Sequence, residues 1–370
     1  MPDFVPLTVA SIHRETVDAV SIAFAIPAEH AEAFRFRPGQ YLALRTTLGG
    51  QEVRRTYSIC SGPDETGLAI AVKRIAGGVF STWACDGLRP GMILESMPPA
   101  GRFVLPDPPG EKRHVLAFAA GAGITPIMAM ADHAMRRQPA TLFTLIYGNR
   151  DSASIIFRER LEDLKDTHVD RLSLIHVLSR NEESDTPLLE GRITADKVRA
   201  FSRHLFSVDD VDRVFLCGPG SMIRDVRNTL FELGFPRDRV HHEFFAAGGG
   251  AFRAPAVEVI AASTSPPERE AGGTATAIAH EVVAVLDGRR HQFQALPGEP
   301  VVDAALRADI RVPYSCKGGM CSTCRARIVE GTATMRLNYS LEPWEVEKGF
   351  VLTCQAAADT PRLVVDYDQM

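Results

Sequence analysis

Four cysteines near the C-terminus constrain this chain more than any other feature: Cys316, Cys321, Cys324 and Cys354. Three of them sit in Cys316-Lys-Gly-Gly-Met-Cys321-Ser-Thr-Cys324, and the fourth lies well downstream. C-x4-C-x2-C…C is the ligand spacing of a [2Fe–2S] cluster. Four thiolates must converge on two irons, so the loop that carries three of them has to wrap the cluster closely, with its N–H groups turned toward sulfur. Gly318 and Gly319 stand where that approach is closest and where a positive φ is tolerated. Four thiolates also suit zinc, but structural zinc sites usually pair their cysteines as two C-x2-C knuckles, and this chain has one. Disulfides would fit an oxidising compartment, and nothing in the sequence points to one.

The chain has 370 residues, enough for two or three domains. Its 45% hydrophobic and 24% charged content is ordinary for a globular protein. With a net charge of −5 and no strongly basic patch, nucleic acid is not an expected partner. Met1-Pro-Asp-Phe-Val-Pro-Leu lacks the basic start and apolar core of a signal peptide. The longest apolar stretch, Val115 to Ala131, contains Gly121, Gly123 and Pro126 and is short for a membrane span. A strand, a tight turn and a helix explain it better. No membrane association is expected, and a cytoplasmic setting fits. Of the seven cysteines, Cys60 and Cys85 read as ordinary buried residues.

The rhythm of the chain changes three times. Residues 1–108 hold short β-prone segments (Thr8–Ala10, Ala19–Ile26, Tyr41–Thr46, Arg54–Cys60, Leu68–Lys73, Met92–Ser96) separated by Gly, Pro and Asp. They read as a small antiparallel β-barrel. Residues 109–247 alternate apolar runs (Val115–Ala119, Leu142–Tyr147, Leu172–Leu178, Val214–Cys217, Val240–Phe245) with helical stretches (Pro126–Arg137, Ile155–Lys165, Ala195–His204, Ser221–Leu233). That alternation predicts a doubly wound α/β domain. Residues 248–279, rich in Ala, Gly, Pro, Ser and Thr, read as a flexible linker. Residues 280–370 show paired strands (Glu281–Leu286, Arg290–Leu296), a helix near Val301–Ala308, the cysteine loop and a terminal strand at Arg362–Tyr367. They suit a β-grasp domain, making the chain multidomain.

Several segments carry chemistry. In Arg54-Arg55-Thr56-Tyr57-Ser58, Tyr57 offers a flat ring for stacking, Arg55 a planar fork for a phosphate, and Ser58 a hydroxyl beside them. The structural alternative is an edge strand with solvated arginines. Val72-Lys73-Arg74, followed by Gly77-Gly78-Val79-Phe80-Ser81-Thr82, is a glycine turn feeding a helix start, whose free N–H groups suit a pyrophosphate. A plain N-capped helix explains that segment equally well. Gly121-Ala-Gly123-Ile-Thr125-Pro126 follows an apolar strand and opens a helix, with Pro126 where a fuller glycine fingerprint has its third glycine. Cys217-Gly218-Pro219 is a second strand–turn–helix junction. Ser179-Arg180, with Arg150 a second candidate, joins a hydroxyl to a guanidinium where a ribose 2′-phosphate would be read, which favours NADPH over NADH. Phe244 and Phe245 end the last strand of the α/β domain, after Glu243. The histidines show no metal-ligand spacing.

Taken in order, these motifs resemble the ferredoxin–NADP reductase family with a C-terminal plant-type ferredoxin domain. Arg55-Thr-Tyr57-Ser58, Gly121-Ala-Gly123-Ile-Thr125-Pro126 and Gly331-Thr-Ala-Thr-Met335-Arg336 leading to Cys354-Gln355 look like the reductase subunits of phenylacetyl-CoA epoxidases. Reductases of ketosteroid hydroxylases share the order. The resemblance implies FAD on Arg55, Tyr57, Ser58, Val72, Lys73, Gly78, Ser81 and Thr82. It implies a nicotinamide dinucleotide on Gly121, Gly123, Thr125, Ser179, Arg180, Cys217 and Gly218, with Phe244 or Phe245 covering the second flavin face. Tyr57, Ser58 and Cys217 would lie nearest the reacting atoms. It further implies that electrons from NADPH (or NADH) pass through flavin and cluster to an oxygenase component. FMN in place of FAD, or a non-catalytic redox sensor, are the competing expectations.

Overall fold

The computed structural model describes residues 4–63, 67–107, 112–180, 186–245 and 279–369, and residues 257–260 as backbone. Pro2–Gly250 form one compact unit and Ala251–Met370 another.

The first unit opens with β1 (Val5–Thr16), β2 (Ala19–Ala25), β3 (Tyr41–Leu48), β4 (Gln51–Ser58), β5 (Leu68–Lys73), α1 (Val79–Asp86) and β6 (Ile93–Ser96). The strands are antiparallel in the order β4-β3-β6-β1-β2-β5. An Ile59–Ile70 bridge and the Cys60 N–H to Ala69 O bond at 2.8 Å tie the two ends together, making a barrel. Period-two alternation drives it: Val5, Leu7 and Val9 point in while Pro6, Thr8 and Ala10 point out. β1 is far longer than the expected Thr8–Ala10. Its outer half, Ser11–Glu15, is polar and largely exposed, and irregular pairing beside Val9 and Arg14 obscures the alternation in sequence.

The same unit continues with β7 (Arg113–Ala120), α2 (Ile124–Arg137), β8 (Thr141–Asn149), α3 (Arg158–Thr167), β9 (Leu172–Leu178), α4 (Ala195–Ser202), β10 (Arg213–Gly218), α5 (Gly220–Glu232) and β11 (Val240–Phe244). All five strands are parallel, in the order β11-β10-β7-β8-β9. β7 is apolar almost throughout because both faces are covered: Val115, Ala117 and Ala119 enter one core, Leu116 and Phe118 the other. The core on the first face also takes in Ala19, Cys60 and Ala71, so barrel and α/β domain share it. Polar contacts cross the same seam. Arg160 donates to Cys60 O at 3.1 Å, and the Phe157 N–H donates to Glu15 at 3.3 Å. The helix expected over Ile155–Lys165 starts later, at Arg158. Phe157 adopts φ 61°, and Ile155, Ile156 and Phe157 are buried as a turn. Their burial in the shared core overrides the helical periodicity.

The second unit contains β12 (Val257–Ile260), β13 (His280–Leu286), β14 (Arg289–Ala295), α6 (Val301–Arg307), β15 (Arg325–Glu330), β16 (Thr332–Met335), α7 (Pro343–Glu347), β17 (Phe350–Leu352), β18 (Ala356–Ala358) and β19 (Arg362–Asp366). The main sheet runs β14-β13-β19-β15-β17, with β13 parallel to β19 across its centre, as in a β-grasp. A small sheet runs β12-β16-β18. β12 lies inside the stretch expected to be a flexible linker. There Val-Glu-Val-Ile pairs antiparallel with β16, because a β-branched run beside an unpaired edge satisfies its backbone by joining it. Most of the rest of 248–279 lies outside the described residues. Among the described residues no helix is long and apolar enough to cross a membrane, which leaves strand-built membrane proteins aside.

Candidate functional site

In a doubly wound sheet, ligands bind beyond the carboxyl ends of the strands where the strand order reverses. Here that point lies between β7 and β10, whose last register pair is Ala119 with Cys217. The turn after β7 holds Gly121 at φ +54°, and the α2 start packs directly on β10. A Cβ on Gly123 would stand 2.1 Å from Cys217 O, so any larger residue forces the helix away from the strand. Gly218, at φ +152°, would bring a Cβ 3.1 Å from Ala120 N. Both glycines therefore serve close backbone approach. Thr125 is buried and its hydroxyl donates to Ala122 O at 3.0 Å. It braces the turn.

Ser58, at the end of β4, reaches across from the barrel and donates to Glu243 Oε2 at 3.2 Å. Glu243 is the register neighbour of Cys217 on β11. Burial pushes the Glu243 carboxyl up to about 8, against a smaller downward pull from the Ser58 hydrogen bond. Burial, then the nearby Glu243, raises the Cys217 thiol well above its ordinary value, so it stays protonated. Three side chains from three strands thus meet at the sheet's reversal point, and all three can carry a proton.

Tyr57 precedes Ser58 with its ring 5.3 Å from Phe80, whose ring meets Trp83 at 5.7 Å. Arg55 is exposed and donates to Arg54 O at 2.7 Å. Ser81 is buried. Its hydroxyl accepts from Ile75 N–H at 3.1 Å and donates to Gly78 O at 3.3 Å. That hydroxyl is spent on the turn, so an anion at the α1 start would meet first-turn N–H groups, which lack intrahelical acceptors. Thr82 is exposed, and Gly77, Gly78 and Thr82 line an open groove of about 520 Å³ beside Trp83. Lys73 and Val72 end β5, with Lys73 Nζ 3.9 Å from where a Gly121 Cβ would stand. The flat Tyr57 ring, the exposed Arg55 fork and the glycine turn fit a flavin with its phosphates.

At the far side of the α/β sheet, Ser179 and Arg180 are exposed and follow β9. Their N–H groups donate to Asn149 O and Arg150 O at 2.9 and 2.7 Å, bringing Arg150 and Arg180 to adjacent strand ends. Arg150 also donates to Asp18 of the β1–β2 turn at 2.8 Å, and Lys73 lies 3.8 Å from the same carboxylate. This Asp18 link is not legible in sequence, where Asp18 is one more turn residue. Phe244 packs edge-on to His242 at 5.1 Å, while Phe245 packs against the shared core.

In the second unit, Cys321, Cys324 and Cys354 are buried and Cys316 partly so. Cys316 hydrogen bonds with Cys321, and Cys324 with Cys354. Among the described residues no three His, Cys, Asp or Glu side chains group around a point suited to one metal ion. Two thiol pairs suit two irons, one pair on each, better than a single tetrahedral zinc. The Cys321 hydrogen bond, helped against burial by the backbone N–H groups of Gly318, Met320 and Cys321, holds the Cys316 thiol below its ordinary value. These are the inward-turned amides the spacing predicts. Gly319 at φ +73° lets the loop pass Leu337 O, which a Cβ would approach to 3.0 Å. Lys317 and Ser322 also take positive φ, at 49° and 53°. Thr353 anchors the loop's exit, donating from its hydroxyl to Cys324 O at 2.8 Å and accepting from Tyr367 Oη at 2.9 Å.

These sites define a class: a flavoprotein oxidoreductase with a nicotinamide-binding α/β domain and an iron–sulfur domain. Sequence families described as "Oxidoreductase FAD-binding domain", "Oxidoreductase NAD-binding domain" and "2Fe-2S iron-sulfur cluster binding domain" match residues 6–105, 118–228 and 284–359. The chain belongs to the FAD- and NAD-binding reductases that carry a 2Fe-2S domain. It is 40% identical to one of the subunits of 1,2-phenylacetyl-CoA epoxidase of Escherichia coli strain K12, over 100% of this chain and 99% of that one. It is 35% identical to the ferredoxin reductase component of 3-ketosteroid-9-alpha-monooxygenase from Rhodococcus rhodochrous, over 98% and 96%. Phthalate dioxygenase reductase has the same fold, with a TM-score of 0.59, 24% identity and 98% of each chain covered. Electrons pass from NAD(P)H through FAD to the [2Fe–2S] cluster. When bound, the flavin supplies the step from two-electron to one-electron chemistry. The chain supplies orientation, phosphate contacts and proton-holding groups.

Proposed function

We propose that this chain is the cytoplasmic reductase component of an oxygenase system of the phenylacetyl-CoA epoxidase type, taking electrons from NADPH and delivering them to the oxygenase. The observation that carries this reading is the 40% identity over 100% of this chain and 99% of the epoxidase chain. A ketosteroid-type oxygenase is the second reading, favoured by a 35% match of nearly equal extent. Tyr57, Ser58 and Cys217 are assigned to the reacting face of the flavin and Arg55, Gly78 and the α1 start to its phosphates. Gly121, Gly123 and Gly218 are assigned to the nicotinamide dinucleotide. Ser179 and Arg180 favour NADPH, because a hydroxyl beside a guanidinium suits a 2′-phosphate better than a bare ribose, with Arg150, bonded to Asp18 at 2.8 Å, the second candidate.

The test is anaerobic titration with NADPH and, separately, NADH, following flavin and cluster absorbance together. Bleaching of both chromophores, at lower NADPH than NADH, is the expected result. Reduced protein should then support turnover by a reconstituted phenylacetyl-CoA epoxidase and not by a ketosteroid oxygenase. Cys324→Ser should abolish reduction of one-electron protein acceptors and leave flavin reduction intact. Preference for NADH would remove the 2′-phosphate assignment, and turnover with the steroid system alone would replace the first reading by the second.

A further inference from the structure

We propose that Gln355 is a positioning residue of the iron–sulfur centre, whose carboxamide ties the two thiol pairs together and sets the reduction potential. The inference rests on the assignment of the four cysteines to the cluster. Gln355 follows Cys354 directly and is 4% exposed. Its Nε2 lies 2.7 Å from Lys317 O and 3.6 Å from Cys354 Sγ. A side-chain amide has two N–H donors, enough for both partners. Both partners are acceptors, so the opposite amide orientation would set oxygen against oxygen and is excluded by chemistry.

The placement is a second tie between two parts of the centre, beside the Gly319 N–H of the loop, which bonds to Cys354. Lys317 belongs to the loop between Cys316 and Cys321, and Cys354 belongs to the other thiol pair. Lys317 takes φ +49°, a conformation that a non-glycine residue rarely holds without support, and its carbonyl is the one that Gln355 captures. The loop then turns at Gly319, which packs so closely on Gln355 that an added Cβ would stand 3.3 Å from its Cγ. The Gln355 backbone is fixed as well. Its N–H donates to Leu352 O at 2.7 Å, and its carbonyl accepts from Arg336 N–H at 3.1 Å. The carboxamide is therefore a rigid strut from the braced turn between β17 and β18 to the ligand loop. An N–H donor aimed at a ligand sulfur stabilises the more negative, reduced cluster, so it raises the potential.

The test uses the full chain. Gln355→Met keeps the length and apolar stem but removes both donors. Iron and labile sulfide content, with a potentiometric titration followed by electron paramagnetic resonance, report on the cluster. NADPH-driven ferricyanide reduction needs the flavin and not the cluster. The expected result is a more negative potential, by a shift near tenfold in the one-electron equilibrium, or about 59 mV, with ferricyanide reduction unchanged. Full loading at the wild-type potential overturns the proposal. If Gln355→Met does not retain its cluster, Gln355→Asn is read instead. Its amide falls one methylene short of Lys317 O, so a lowered potential supports the strut, and wild-type potential with full loading overturns it. Absence of a [2Fe–2S] signal in the wild-type protein would refute the cysteine assignment and is distinct from either outcome.

Discussion

Glu243 is a carboxyl placed where its neutral form is favoured, with Ser58 as its hydrogen-bond partner and Cys217 beside it. Its native value of about 8 lies above the ordinary 4.5. The native state therefore holds a proton that the unfolded chain releases. The stabilisation is complete below the unfolded value, declines as pH rises through the native one, and levels off above it. The melting temperature of the wild type should fall between about pH 5 and about pH 8, and Glu243→Gln, neutral throughout, should flatten that fall. Equal slopes in the two proteins would show that Glu243 does not hold the proton. At this scale the sequence is informative where chemistry is written in residue type. The four cysteines and Arg55-Thr-Tyr57-Ser58 can be read directly. The hydroxyls of Ser81 and Thr125 are less directly read: each bonds to its own turn. Whether a hydroxyl faces outward or back onto the chain depends on a single rotamer.

Among elements, the contact between α2 and β10 is the tightest one that shapes the nucleotide crevice. Gly123→Ala places a methyl 2.1 Å from Cys217 O, so the helix start must move off the strand. A loss of about 1–3 kcal/mol in stability is expected, with a several-fold rise in KM for NADPH. Urea unfolding and steady-state ferricyanide assays measure the two effects, and an unchanged KM would detach this turn from the nucleotide. The elements themselves are legible in proportion to how clean their periodicity is. β7, apolar on both faces, can be read to within two residues at its start and one at its end. The pattern starts α3 three residues too early because Ile155-Ile156-Phe157 continues a helical periodicity while packing as a buried turn. β12 is hidden inside a compositionally linker-like stretch, since its partner, β16, lies more than seventy residues away in the chain.

For the whole molecule, function requires the cluster to receive electrons from one protein surface and deliver them to another. The connecting segment therefore has a length requirement. Deleting most of residues 246–256, which lie between β11 and β12, while keeping Val257–Ile260 should slow reduction of the partner protein several-fold, because a tether too short for both docking positions lowers the effective concentration toward zero. Flavin reduction by NADPH should be unaffected. Stopped-flow traces of both steps decide it, and equal partner reduction by the shortened chain would remove the tether from the mechanism. The order of the three modules and their cofactors were determined by the sequence alone, because each depends on local spacing: cysteines a fixed number of residues apart, or glycines between a strand and a helix. The tertiary structure alone decided which distant residues share a site. Ser58 and Glu243 are 185 residues apart, and Asp18 and Arg150 132. Gln355 reaches back 38 residues to Lys317. Those meetings follow from strand register and from the shared core, which no local pattern records.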